Sequence, residues 1–315
     1  MPESLIECVL NFSCGRDNAL LDQISHRINN RTGLKVAHRD VGKDANRTVY
    51  TLIGEPDAVM DAVGIFFEEA DDRFVITRHE GEHPMVGIVD VIPVVPIRGI
   101  TAQASAELLR REAQSWSEKY RVPIIYYGSM ATQESARTLA QIRKGGYQGL
   151  QERVYKREIQ YDILPNSGLG HLGTSCLTTR DFMVAWNVNL TTQDQRIAKS
   201  IARQLRHERS IDPSITDVRF LGWEMQEYGC TQISTNVYNI NAINLMQLYR
   251  RITGVARDHG VDTAGSELIG MIPRVALGPY DVSVEEAIKV LGLNAVQSFV
   301  RTERIIDEWI SNNLM

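Results

Sequence analysis

Leu5-Ile6-Glu7-Cys8-Val9-Leu10-Asn11-Phe12, with the turn Ser13-Cys14-Gly15-Arg16-Asp17 behind it, sets the order in which this chain builds its fold. The apolar octet reads as a strand that the turn ends. Asp17 can cap a helix on which Leu20, Leu21, Ile24 and Ile28 recur at helical spacing. Gly33 is expected to stop that helix. A short strand, Leu34 to His38, then leads to a polar loop from Asp40 to Asn46. Arg47 opens the next strand, Thr48 to Ile53, rich in β-branched residues. Gly54-Glu55-Pro56-Asp57 starts a second helix with Val59, Met60, Val63 and Phe66 on one face, proline being tolerated in a first turn. A strand is expected at Phe74 to Thr77.

Strand, helix, strand, strand, helix, strand is the split βαβ order of a ferredoxin-like unit, an antiparallel sheet with helices on one face. The chain extends it through a strand at Val86 to Val95, a helix from Thr101 to Lys119 and a strand at Pro123 to Tyr127. Helical or irregular structure follows to Lys156, with Arg143-Lys144-Gly145-Gly146-Tyr147 as a turn between short helices. From Phe182 the order returns: a strand to Leu190, a helix carrying Ile197, Ile201 and Leu205, and a strand pair, Val218 to Gln226 and Thr231 to Tyr238. A helix around Ile243 to Ile252 and a strand near Glu267 to Met271 complete it, and helices around 284–290 and 295–310 finish the chain. No sequence repeat accompanies the duplication. The expected fold is α/β (α+β): two ferredoxin-like-type α/β subdomains, residues 1–180 and 181–315, with a ligand groove between them.

Composition narrows the function classes. Of 315 residues, 43% are hydrophobic and 23% charged, as in an ordinary globular protein. The net charge of −5, without a long run of one sign, argues against sequence-independent nucleic-acid binding. No stretch approaches the roughly 18 apolar residues of a membrane span, and Met1-Pro2-Glu3-Ser4 lacks the basic and apolar regions of a signal peptide. A cytoplasmic protein is expected. Cys8, Cys14, Cys176 and Cys230 form no Cys-x-x-Cys pair and read as reduced structural thiols rather than a zinc site.

Two stretches carry chemistry. Arg78-His79-Glu80-Gly81-Glu82-His83-Pro84 is a polar loop in which Pro84 pushes His83 toward extended backbone and Glu82 or Glu80 could orient its imidazole. A proton-transfer group or a solvated hairpin both fit it. Asp162-Ile163-Leu164-Pro165-Asn166-Ser167-Gly168-Leu169-Gly170-His171-Leu172-Gly173 is glycine-rich beyond what a connection needs, so a flat ligand could lie close to its backbone. It is neither a Walker loop nor a dinucleotide fingerprint. A ligand loop and an interdomain linker stay open.

Taken together, these stretches resemble the formiminotransferase family of folate-dependent enzymes. The landmarks are Glu7-Cys8-Val9 with Asn11-Phe12-Ser13 and Gly15; Asn46-Arg47-Thr48-Val49-Tyr50; Gly81-Glu82-His83-Pro84 with Gly87 and Asp90-Val91; and Pro96-Ile97-Arg98-Gly99. Ala185 to Leu190, Gln232 to Asn236 and Gly265 to Pro273 continue the series. The resemblance implies transfer of a formimino group from N-formiminoglutamate to N5 of tetrahydrofolate, with tetrahydrofolate as co-substrate, no metal, and a homodimer. It implies His83 as the catalytic acid and base, and a folate loop made of Leu164, Pro165, Asn166, Ser167, Gly168, Leu169, Gly170, His171, Leu172 and Gly173. Asn11, Arg47 and Asp40 would meet the substrate, Asp44 being the other candidate for the acidic position. The chain departs from the family at Leu10, at Cys14 and at Met85, where the family has proline, an acid and arginine. It ends at Met315, so a following step would need a separate cyclodeaminase. A formyl or other one-carbon transferase with a different donor, and a non-catalytic folate-binding homologue, are the alternatives.

Overall fold

The computed structural model describes residues 2–43, 45–81, 84–225 and 229–314. The chain forms two compact units, one ending at Arg180 and one beginning at Asp181.

The first unit runs β1 (Leu5–Phe12), α1 (Asn18–Asn29), β2 (Leu34–Gly42), β3 (Arg47–Gly54), α2 (Pro56–Asp71), β4 (Val89–Arg98), α3 (Ala102–Tyr120), β5 (Ile124–Tyr126), α4 (Leu139–Ile142), α5 (Gly146–Tyr155) and β6 (Ser175–Thr179). Alternation organises β1. Ile6, Cys8, Leu10 and Phe12 enter the core with α1 and α2, where the Phe12 ring meets Phe66 edge-on at 5.5 Å. Glu7, Val9 and Asn11 therefore face the other side of the sheet. The Asp17 carboxylate accepts from the Leu20 amide (3.0 Å) and starts α1. Asn30, not Gly33, takes the C-cap, and Gly33, at φ +80°, turns the chain into β2.

The sheet order is β2-β3-β1-β4-β6-β5. Its first four strands are antiparallel, in the order of a ferredoxin-like unit, and β6 joins parallel to both β4 and β5.

Three sequence expectations are corrected. Phe74 to Thr77 is not a strand: the Phe74 ring packs on Phe12 and the Ile76 amide bonds to His171 O (2.8 Å), so a short 3-10 turn forms at Ile76–Arg78. The fourth strand is Val89–Arg98. It begins three residues later than its apolar run because the amides of Val86 and Gly87 bond to the Asp90 side chain. Asp40 lies in β2 rather than in a loop, since the ladder with β3 continues to Gly42. Ser175–Thr179, a polar stretch with no apolar alternation, is a buried strand between β4 and β5. The glycine-rich stretch is thus a connection inside the first unit and not a linker between units.

The second unit repeats the order with β7 (Val184–Leu190), α6 (Gln195–Arg209), β8 (Val218–Met225), β9 (Cys230–Val237), α7 (Leu245–Asp258) and β10 (Thr263–Ile269). Its sheet is β10-β7-β9-β8, antiparallel throughout. Gly222 lets α6 lie against β8, for a Cβ there would come within 2.3 Å of the Ala198 backbone. Strand β10 starts before the expected Glu267 and stops at Ile269, where Gly270, at φ +74°, turns the chain. Four further helices follow, α8 (Arg274–Leu277), α9 (Val284–Leu291), α10 (Arg301–Arg304) and α11 (Ile306–Asn313). Part of the expected β8–β9 turn at Glu227 to Cys230 lies outside the described residues.

Candidate active site

One end of the first sheet collects the residues singled out in the sequence. The ladder sets Asp40 opposite Val49, and Val49 opposite Asn11. Directly opposed residues share a face, and Arg47, two residues before Val49, shares it too. This is the face turned away from α1 and α2. Asn11 is half-buried and donates from Nδ2 to Val9 O (3.2 Å). Asp40 Oδ1 lies 3.0 Å from His38 Nε2. Burial, then the charge of Arg143, pull the Arg47 guanidinium down to about 10, against the opposing pull of Asp90 and Asp40.

Asp90 is the hub. It is completely buried, its Oδ1 accepts from the amides of Val86 (2.8 Å) and Gly87 (3.2 Å), and its Oδ2 pairs with Arg143 Nη2. Arg143 arrives from the turn between α4 and α5. Sequence reasoning gave Asp90 and Arg143 no role. The signal was there: one acid inside an otherwise apolar run must find partners when it is buried.

His83, Glu82 and Asp44 lie outside the described residues, but the chain on either side of His83 is held. Asn46 donates to Glu80 O (2.9 Å) and accepts from the Gly15 amide (2.9 Å), tying the segment to the β2–β3 connection. Asn46 itself sits at φ +44°, a conformation asparagine tolerates better than most residues. On the other side, Ser13 Oγ donates to Gly87 O (2.8 Å) and the Ser13 amide to Ile88 O (2.7 Å).

The glycine-rich stretch joins this segment directly. Gly87 and Gly173 form a β-bridge, flanked by Ile88 N to Leu172 O and Thr174 N to Val86 O, both 2.8 Å. A Cβ on Gly173 would come within 2.5 Å of Val86 O, and one on Gly87 within 2.2 Å of Thr174 O. These glycines serve close backbone approach, not ligand approach. Gly170 is likewise committed, bonding to Arg121 O (2.7 Å), and His171 Nε2 sits 2.7 Å from Asp71 O. Asn166 bonds to Glu118 through Nδ2 (2.7 Å) and its amide (3.1 Å). Pro165 and Leu172 are buried. What the stretch leaves outward is Ser167, Gly168 with open space where a Cβ would stand, and the apolar tips of Leu164 (56% exposed) and Leu169 (48% exposed).

The four cysteines are unpaired, and among the described residues no group of His, Cys, Asp and Glu gathers as a metal site. No described helix is long and apolar enough to cross a membrane.

The family model for the formiminotransferase domain, N-terminal subdomain, matches residues 5–180, and that for the formiminotransferase domain matches residues 185–279. The chain belongs to the formiminotransferase family. A formimidoyltransferase-cyclodeaminase of Dictyostelium discoideum is 33% identical over 98% of the chain, and one of Rattus norvegicus 31% identical over 96%. The chain spans 61% and 59% of the length of those two relatives. A glutamate formimidoyltransferase of Streptococcus pyogenes serotype M1 is 30% identical over 90% of the chain and 94% of that protein.

One formiminotransferase landmark carries a titration of its own. Glu7 lies buried on the same sheet face as Asn11, and burial, partly offset by Arg180, pushes its carboxyl up to about 7 from 4.5. The folded chain thus binds this proton more tightly than the unfolded chain. The associated stability is fully present below pH 4.5 and is lost as pH rises through about 7. Glu7→Gln removes the titration. Between about pH 4 and about pH 8 the stability of the wild type relative to this variant should fall by on the order of 3 kcal/mol, measured by urea unfolding. A difference that does not change with pH would contradict the assignment.

Proposed function

We propose that this chain transfers the formimino group of N-formiminoglutamate to N5 of tetrahydrofolate, releasing glutamate. The observation that carries the reading is the Gly87–Gly173 bridge. It joins the histidine segment to the glycine-rich stretch at the sheet end that holds Asn11, Arg47 and Asp40.

In this reading N5 of tetrahydrofolate attacks the amidine carbon and a C–N bond forms. His83 takes the N5 proton and then delivers a proton to the glutamate nitrogen as the old C–N bond breaks. Leu164 to Gly173 is the folate loop. Its fixed part is 170–173, and its contact surface is Leu164, Ser167, Gly168 and Leu169. Arg47 holds a carboxylate of the donor by paired hydrogen bonds, and Asn11 and Asp40 orient the amidine. Folate is a co-substrate, and the reading asks for no metal. It further takes the chain as a cytoplasmic homodimer, with subdomains 1–180 and 181–315, whose product passes to a cyclodeaminase.

A second reading has one specific support. Met85 packs half-buried against the core where the family has arginine, which would suit a different one-carbon donor, such as a formyl compound. An absorbance assay with tetrahydrofolate and N-formiminoglutamate decides between them. Formation of 5-formiminotetrahydrofolate is the expected result. Folate binding by calorimetry without turnover would favour the changed donor, and binding of neither substrate would overturn both readings.

A further inference from the structure

Val36 and His38 are two residues apart on β2, yet they stand on opposite faces of the sheet. Val36 lies opposite Leu52 and packs against the core, whereas His38 lies opposite Thr51. Successive residues of β3 face opposite ways, so here two steps along β2 match one step along β3. Ala37 is the extra residue of a β-bulge. An unbroken ladder would set His38 opposite Tyr50 and Asp40 opposite Thr48, on the side of α1 and α2. The bulge turns both side chains onto the face that carries Asn11 and Arg47. There His38 Nε2 lies 3.0 Å from Asp40 Oδ1, with the two side chains only 19% and 22% exposed. An ionised carboxylate only accepts, so Nε2 carries the hydrogen and donates it. Partial burial makes this bond stronger than its equivalent in water.

We propose that His38 is a positioning residue: its bond to Asp40 aims the carboxylate at the amidine and thereby selects a formimino donor over a formyl one. This rests on the reaction proposed above and adds to it a residue that the sequence marked only as the end of a strand. A formimino group is a cation with N–H donors, which an aimed carboxylate meets by charge-assisted hydrogen bonds. A formyl group turns a neutral carbonyl oxygen to the same place, where two acceptors face each other. Both His38 and Asp40 stand on a paired strand, so the aim is set before the donor arrives.

Calorimetry on the full chain tests it, with 5-methyltetrahydrofolate present so that a blocked N5 permits no transfer. The probes are N-formiminoglutamate and N-formylglutamate. The wild type is expected to bind the formimino compound more tightly, by on the order of tenfold. His38→Ala should remove most of that preference and leave the affinities for N-formylglutamate and 5-methyltetrahydrofolate unchanged. His38→Gln, whose side-chain amide can place an N–H near the position of Nε2, should restore it. His38→Val, suited to a strand, reports in place of alanine if that variant does not fold. The role is overturned if alanine keeps the wild-type preference or glutamine does no better than alanine. It is also overturned if the wild type binds the two compounds alike, or neither. In turnover with tetrahydrofolate, His38→Ala should raise KM for N-formiminoglutamate and not for tetrahydrofolate. Transfer with both KM values unchanged would remove His38 and leave the reaction standing. The expected binding pattern in a chain that transfers no formimino group would overturn the reaction and leave His38 in place.

Discussion

Replacing His83 with alanine is expected to lower kcat by about 10²–10⁴-fold, the range that removal of a general acid or base spans. In the proposed reaction one nitrogen loses a proton and another gains one, so a single acid–base group would serve both transfers. In the proposed function substrate binding draws on other groups: Leu164 to Gly173 for folate, and Arg47 for a carboxylate. KM and the tetrahydrofolate dissociation constant should therefore stay within about threefold of wild type, the pattern of a group whose contribution is confined to the transition state. Steady-state kinetics and calorimetry on the same preparation make the comparison. Turnover that survives the change would remove His83 from the chemistry. A loss of folate affinity equal to the loss of kcat would make it a binding residue.

Asp90→Ala should be the most damaging single change to stability in the first unit. The aspartate is fully buried, and its loss strands the Arg143 charge and the amides of Val86 and Gly87 at once. Removing one partner of a buried ion pair costs about 3–5 kcal/mol, because the surviving charge has nowhere to go. In a unit of this size that is on the order of 10 °C in Tm. Asp90→Asn should cost less, since its amide oxygen can still accept from one of the two amides. Double replacement of Asp90 and Arg143 by apolar residues should recover part of the loss, as both charges are then gone. Calorimetric melting of the three variants gives the ranking, and an unchanged Tm in Asp90→Ala would show that the network does not brace the fold.

The element order was legible because it depends on periodicity. Leu20, Leu21, Ile24 and Ile28 are the buried residues of α1, and Val59, Met60, Val63 and Phe66 of α2 are buried as their spacing implies, together with Ala62, Ile65, Phe67, Glu69 and Ala70. The errors fell where burial and periodicity part company. Phe74 and Ile76 are apolar and β-branched enough for a strand, but they fill the core from a turn, and no local pattern distinguishes the two. Ser175–Thr179 is the reverse case, a buried strand written in polar residues whose hydroxyls bond to neighbouring backbone, as Ser175 Oγ does to Val89 O (2.5 Å). The candidate site divided in a similar way. Asn11, Asp40 and Arg47 were found through a family resemblance, and their common face was fixed only by the ladder register. Arg143 stood far from them in sequence, in a turn whose composition announced only a turn. Long-range charge pairing of this kind leaves no spacing to read.

The glycine pair at 87 and 173 also sets how such a protein can diversify. Neither position admits a side chain, so the two segments that meet there can change only in concert, and a lineage exploring new substrates finds that seam closed. Five residues before Gly173 the crowding lifts. Gly168 has open space around it, and Ser167 and Leu169 point outward beside it. Selection can therefore rewrite Ser167 and Leu169, while Gly168, at φ +83°, favours glycine, and the outward surface of this stretch changes without disturbing the seam.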